Sequence, residues 1–351
     1  MKTCRRCARA SYRNVLRSRT APARTTHETS RMSDRKAASR SDSTNDAPRR
    51  LTASDFDPEV LKLFDLYVHG AIDRRGFLDR AAKLALAGTT AAALLEALSP
   101  NFAYAQRIQP DDSRLTTERV EIDSPAGYGK VRGYLVRPRQ PAGKLPAILV
   151  VHENRGLNPH IEDVARRFAL EKYVVFAPDA LAPAGGYPGN EDTARELFKQ
   201  LNQAWTREDF VASAGYLATH PSANGRMGVV GFCYGGAIAH FLATRLPTLD
   251  AAVPFYGSSP APENASSVKA PLLVHLAAED ERINTAWPAY EAALKAAGAK
   301  FEVHRYPGTQ HGFHNDTTPR YDEAAAKLAW QRTGAFFART LRAPGAAKKA
   351  K

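Results

Sequence analysis

Residues 227–245 limit the folds open to this chain more than any other stretch. Met227-Gly228-Val229-Val230-Gly231 has the apolar character of a strand buried on both faces. It runs without a spacer through Phe232-Cys233-Tyr234-Gly235-Gly236 into a helix of small residues, Ala237 to Ala243. A strand that turns this sharply into a helix presses backbone against backbone. It therefore needs positions without side-chain bulk near the turn and holds the residue at its tip in a strained conformation. Cys233 is that residue. The amides at the start of the following helix point towards its sulfur, favouring a thiolate and any oxyanion nearby. No serine version of this turn occurs in the chain. The plain alternative, a structural cysteine beside a packing turn, does not account for the strand–turn–helix setting.

From Gln106 onward the pattern alternates between strands and helices. Residues 120–122 and 131–136 read as antiparallel strands joined through Ala126-Gly127, and 146–151 as a strand buried on both faces. Helices are expected over 161–170, 191–205, 207–219, 235–245, 286–297 and 320–339. Further strands are expected over 173–177, 249–256, 272–276 and 301–306. This order implies an α/β fold with a mostly parallel central sheet covered by helices on both faces. No internal repeat is visible.

A cysteine nucleophile needs a base. His311, in Tyr306-Pro307-Gly308-Thr309-Gln310-His311-Gly312-Phe313, follows the last expected strand and precedes the closing helix. The order nucleophile, acid, histidine then asks for an acid after an earlier strand. Asp280 in Leu276-Ala277-Ala278-Glu279-Asp280 fits, with Glu279 as the fallback. After strand 146–151 comes His152-Glu153-Asn154-Arg155-Gly156, where the carboxylate of Glu153 is costly unless paired or functional. His152-Glu153 lacks the second histidine of a zinc motif, and His304, His311 and His314 lack a carboxylate partner, so no metal is expected.

The first hundred residues differ in kind. The net charge of +13 suggests an anionic partner only until it is located. Residues 1–50 hold 14 basic and 4 acidic side chains, whereas residues 51–351 hold 35 and 32. The folded body therefore needs no nucleic acid to explain its charge, and residues 1–53 read as a disordered basic tail. Cys4 and Cys7 form a lone C-x-x-C in it, and Met32 is an alternative start. Residues 54–105 read as helical, with Val60, Phe64, Tyr67 or Val68, and Ile72 at helical spacing behind Asp55, Asp57 and Pro58. Asp73-Arg74-Arg75-Gly76-Phe77-Leu78, an apolar run over 84–95 and Ala103-Tyr104-Ala105 resemble a twin-arginine export signal with its cleavage site. The run is too short for a stable membrane span. The expectation is export; the alternative is a helical extension packed on a cytoplasmic enzyme.

Gly-Phe-Cys-Tyr-Gly-Gly, His-Glu-Asn-Arg-Gly, Ala-Glu-Asp and His-Gly-Phe, in this order over residues 115–342, resemble the dienelactone hydrolase family, the carboxymethylenebutenolidases. The resemblance implies an α/β-hydrolase fold for residues 106–351 and cleavage of a small-molecule ester or lactone, without cofactor. Cys233 would be the nucleophile, with Asp280 and His311 its partners. Glu153 would take the thiol proton when substrate enters, and the backbone amides of Tyr234 and Asn154 would form the oxyanion hole. The chain departs from the family at Asn315, where dienelactone-cleaving members carry a substrate-binding arginine one helical turn after the histidine. Arg155 and Arg282 are the candidates to replace it. Two other classes compete: a non-catalytic binding protein on the same scaffold, and a thiol redox protein, which would want a resolving cysteine. The oligomeric state is not readable from the sequence.

Overall fold

Three short helices open the described chain, each begun by a capping side chain. Helix α1 (Pro58–Val68) follows Asp57, which accepts a hydrogen bond from the amide of Glu59. Helix α2 (Arg74–Ala81) follows Asp73, bonded to the amide of Gly76, and α3 (Ala91–Leu98) follows Thr90, bonded to that of Ala93. These elements belong to a computed structural model that describes residues 49–85 and 88–342. Cys4, Cys7, Met32 and nearly all of the expected basic tail lie outside the described residues. The apolar faces of the three helices form a core of their own from Val60, Phe64, Tyr67, Phe77, Ala81, Leu95 and Leu98. Phe77, from the double-arginine stretch, is fully buried there, a gain of about 1.5–3 kcal/mol over leaving it in water. Arg74 and Arg75 are both exposed; Arg74 reaches Asp192 at 2.8 Å, and Arg75 lies 3.9 Å from Asp79. Among the described residues no helix is long and apolar enough to cross a membrane.

The remainder is the expected α/β fold. Strands β1 (Leu115–Ser124), β2 (Gly129–Pro138), β3 (Leu145–Val151), β4 (Val174–Pro178), β5 (Ala223–Phe232), β6 (Ala251–Phe255), β7 (Leu272–Ala277) and β8 (Phe301–Tyr306) form one sheet in the order β1-β2-β4-β3-β5-β6-β7-β8. The β1–β2 and β2–β4 pairs are antiparallel, and every later pair is parallel. Helices lie between the parallel strands, α4 (Pro159–Leu170) after β3, α5 (Glu191–Lys199) and α6 (Gln203–Thr219) after β4, α7 (Tyr234–Arg245) after β5, and α8 (Glu281–Asn284) and α9 (Trp287–Ala296) after β7, while α10 (Glu323–Phe337) closes the fold after β8. Alternate residues of β3 feed two cores. Ala147, Leu149 and Val151 pack with residues of α6, α7 and α9, while Ile148 and Val150 pack with residues of α4 and α10. This two-sided burial is why the strand reads as an unbroken apolar run.

Among the boundaries that differ from the sequence expectation, two are set by a capping side chain. The break between the helices expected over 191–205 and 207–219 falls at residues 200–202 instead of at 206, because Asn202 accepts hydrogen bonds from the amides of Ala204 and Trp205 (3.0 and 3.3 Å) and starts α6 there. The closing helix begins at Glu323 rather than at 320, where Asp322 caps the amide of Ala325 at 2.8 Å.

The topology positions the site. From β3 the chain moves outward to β4, then returns across β3 to form β5, so the strand order reverses between β3 and β5. In open α/β sheets the carboxyl ends of the strands at such a reversal border a crevice. Val151 pairs with Gly231 in register, which sets the loop starting at His152 beside the turn carrying Cys233.

Candidate active site

The turn after β5 has the strain that its sequence predicts. Cys233 sits at φ 53°, ψ −111°, in a region side chains rarely occupy. Its amide donates to the carbonyl of Phe255 (3.0 Å), and its own carbonyl accepts from the amide of Ala237 (3.2 Å). The neighbouring glycines are required by contact: a Cβ on Gly231 would stand 1.9 Å from the Gly235 carbonyl oxygen, and one on Gly235 would stand 2.2 Å from that of Val151. The sulfur lies at the start of α7 in a side chain 8% exposed.

His311 and Asp280 meet it from the ends of β8 and β7. Asp280 caps α8 by accepting from the amide of Ile283 (3.3 Å) with one carboxylate oxygen. Its other oxygen accepts from His311 Nδ1 at 2.6 Å. Glu279, the fallback acid, is exposed, with its backbone amide bonded to the Thr309 carbonyl. Burial alone would raise the Cys233 thiol, but His311 first, and then His69, bring it well below its ordinary value. Burial would likewise lower His311, yet the sulfur beside it and the bond to Asp280 hold it above the usual imidazole range. Alkylation of Cys233 by iodoacetamide in metal-free protein is accordingly expected to keep its rate as the pH is lowered to about 5. Below that it should fall about tenfold per pH unit. A tenfold drop already between pH 8 and 7 would put the thiol at its ordinary value.

The loop after β3 supplies the rest. Glu153 lines the same cavity as Cys233, and its Oε2 accepts from Asn315 Nδ2 at 2.8 Å. Asn315, which departs from the family pattern, is thus the partner that orients Glu153. Asn154 lines this cavity too, while Tyr234 lines an adjoining cleft that also reaches Cys233. The two cationic candidates part company. Arg155 is buried and engaged, donating to the carbonyls of Asn154 and Val68 (both 3.1 Å) and lying 3.7 Å from Glu191. Arg282 is exposed at the mouth, with Nη2 at 3.0 Å from His69 Nε2 and 3.2 Å from His311 Nδ1. His304 lies in β8 and His314 is buried against Phe232 (ring centroids 5.1 Å), so each has a packing role.

Two residues of the site escaped the sequence reading, His69 and Arg320. His69 is the C-cap of α1, and its Nε2 lies 3.6 Å from the Cys233 sulfur and 3.3 Å from His311 Nε2. The end of α1 is docked by side chains of the sheet domain that satisfy its last carbonyls: Arg195 donates to Tyr67 (3.0 Å), and Asn154 (3.0 Å) and Arg155 (3.1 Å) donate to Val68. The His69 ring is fixed through Nδ1, 2.8 Å from the Asp65 carbonyl and 3.3 Å from its carboxylate, which Arg320 also meets at 3.3 Å. Burial and the neighbouring His311 would lower His69, but the bonds to Asp65 and to the sulfur raise it above its usual value. No local signal marked His69, since a histidine after an amphipathic helix is an ordinary C-terminal residue.

Comparison with known proteins covers both parts of the chain. The model of the dienelactone hydrolase family matches residues 131–341, and a YqhI-like model matches residues 47–83. A putative hydrolase fragment, YghX, from Escherichia coli K12 is 53% identical over 113 residues, 32% of this chain and 97% of that protein. A putative carboxymethylenebutenolidase of Salmonella typhi is 34% identical over 220 residues, 58% of this chain and 81% of the relative. The crystal structure of a putative dienelactone hydrolase from Klebsiella pneumoniae superposes with a TM-score of 0.57 at 32% identity, covering 64% of this chain and 99% of that one.

Proposed function

Because the chain belongs to the dienelactone hydrolase family, we propose that it hydrolyses a small ester or lactone by acyl transfer through Cys233. The observation that carries this reading is the Asp280–His311 bond of 2.6 Å, made beside a sulfur held in a positive-φ turn at the start of α7. A carboxylate at that nitrogen fixes the tautomer and supports the ring when it is charged.

The Cys233 thiolate adds to the carbonyl carbon, and the carbonyl oxygen becomes an oxyanion held by the amides of Tyr234 and Asn154. Collapse breaks the carbon–oxygen bond, the departing alkoxide takes a proton from His311, and a thioester remains. Water then gives a proton to His311 as it attacks the thioester, and the thiolate leaves. Where Cys233 is still a thiol beside charged His311, Glu153, in the orientation that Asn315 sets, takes the thiol proton as substrate enters, and His311 keeps the proton it later gives to the alkoxide. Arg282 at the mouth favours a substrate that carries a carboxylate. The direct test is acid quenching during turnover of a small aryl ester, followed by peptide mass mapping. An acyl group on the peptide containing Cys233 is the expected result. Turnover without any adduct there would overturn the assignment.

A further inference from the structure

We infer that His69, Cys233 and His311 form a binding site for zinc, or a similarly thiophilic divalent cation, that masks the nucleophile. Three observations carry it. The first is spacing. One nitrogen from each ring and the sulfur lie within 4.8 Å of one another, with His69 Nε2 at 3.6 Å from the sulfur and 3.3 Å from His311 Nε2. Tetrahedral zinc, bonded at about 2.3 Å to sulfur and about 2.0–2.1 Å to nitrogen, has ligand–ligand edges of about 3.6 Å and about 3.3 Å.

The second is orientation. Metal-binding histidines have their other ring nitrogen fixed by an oxygen acceptor. Here His311 Nδ1 is held by Asp280 at 2.6 Å and His69 Nδ1 by the Asp65 carbonyl at 2.8 Å. Both rings therefore present Nε2 inward from fixed positions. The third is ligand chemistry: one thiolate and two imidazoles suit zinc and exclude the oxygen-seeking magnesium and calcium. Three protein ligands leave the fourth vertex open to the cavity lined by Glu153.

Arg282 is the competitor. Its Nη2 stands 3.0 Å from His69 Nε2, but the side chain is exposed and can turn into solvent. On binding, the ion takes up the thiolate and two neutral imidazoles, and the proton shared by Cys233 and His311 leaves to solvent. The coordinated sulfur no longer adds to a carbonyl. His69 comes from the N-terminal helices, so the site exists only where that segment is docked on the sheet domain. The inference stands on ligand geometry and does not depend on the ester chemistry.

The test uses full-length protein with Cys4→Ser and Cys7→Ser, so that the tail thiols bind no ion, stripped with chelator and titrated with Zn²⁺. Iodoacetamide labelling of Cys233, read by peptide mass, should slow at least about tenfold at one equivalent, and chelator should restore it. His69→Gln should require at least about a hundredfold more Zn²⁺, since losing a ligand exceeds the roughly 10- to 100-fold cost of losing an outer partner. Asp65→Asn keeps the backbone carbonyl at Nδ1 and removes only the carboxylate charge at 3.3 Å, so it should raise the Zn²⁺ requirement by no more than about tenfold, the lower end of that range, and Arg282→Ala should shift protection to lower Zn²⁺. If His69→Gln fails to fold by circular dichroism, the opposite shifts in Asp65→Asn and Arg282→Ala carry the test. The inference is overturned if stoichiometric Zn²⁺ leaves labelling unchanged, or if folded His69→Gln is protected at the wild-type concentration. Ester turnover by the stripped enzyme is measured separately, so failure of the proposed reaction and failure of the zinc site give different results.

Discussion

Cys233→Ala is expected to lower ester hydrolysis by about 10⁴-fold or more, to whatever the remaining groups achieve without a nucleophile. The fold should survive, because alanine keeps the Cβ already accommodated at φ 53° and removes only the sulfur. The turn is held by backbone bonds, from the Cys233 amide to Phe255 and from Ala237 to the Cys233 carbonyl, and neither involves the side chain. Circular dichroism and the thermal midpoint should therefore stay near wild type while turnover vanishes. Cys233→Ser should keep little activity, since a hydroxyl needs stronger activation than a thiol beside a charged imidazole. Full turnover in Cys233→Ala would end the cysteine mechanism.

Asp280→Asn should cost about 10³- to 10⁴-fold in kcat, the scale seen when an orienting carboxylate is lost and the imidazole tautomer is wrong. Two demands meet at this side chain. One oxygen caps α8 through the amide of Ile283, and the other accepts from His311. Asparagine can keep the cap through its carbonyl oxygen, but it then presents an NH₂ group to His311 Nδ1. The ring must accept there and carry its proton on Nε2, facing the sulfur. The variant should thus remain folded and lose rate. Glu279→Gln is the control: its side chain is exposed, so its rate should stay within about twofold of wild type. The opposite ranking would show that the neighbouring acid supports His311.

Helix α2 carries Arg74, Arg75, Phe77 and Leu78 of the stretch that resembles an export signal, α3 carries part of its apolar run, and the C-cap of α1 supplies His69. A chain cut after Ala105 would lack His69 and Asp65, and with them the second histidine at the sulfur. The mass of the chain purified from its host therefore bears on its chemistry as well as its location.

Local chemistry made much of the site legible. A strand that runs into small residues around Cys233 has few conformations open to it, and contact distances at Gly231 and Gly235 show why. Strand–helix alternation implies a parallel sheet, and the chain order of acid and histidine selected Asp280 and His311, which lie in hydrogen-bond contact. Helix boundaries were less legible where one polar side chain decided them. Asn202 and Asp322 cap α6 and α10, but nothing in the apolar periodicity separates a capping residue from a polar one inside a helix. What only the tertiary structure decided are pairings across long sequence distances. Asn315 holds Glu153, Arg155 is spent on the end of α1, and His69 reaches Cys233 from 164 positions away. Hydrophobic period and turn chemistry act over a few residues, so they determine elements and tight turns. Which helix end docks over which strand end depends on carbonyls finding donors on another element, and that is settled only when the chain has folded.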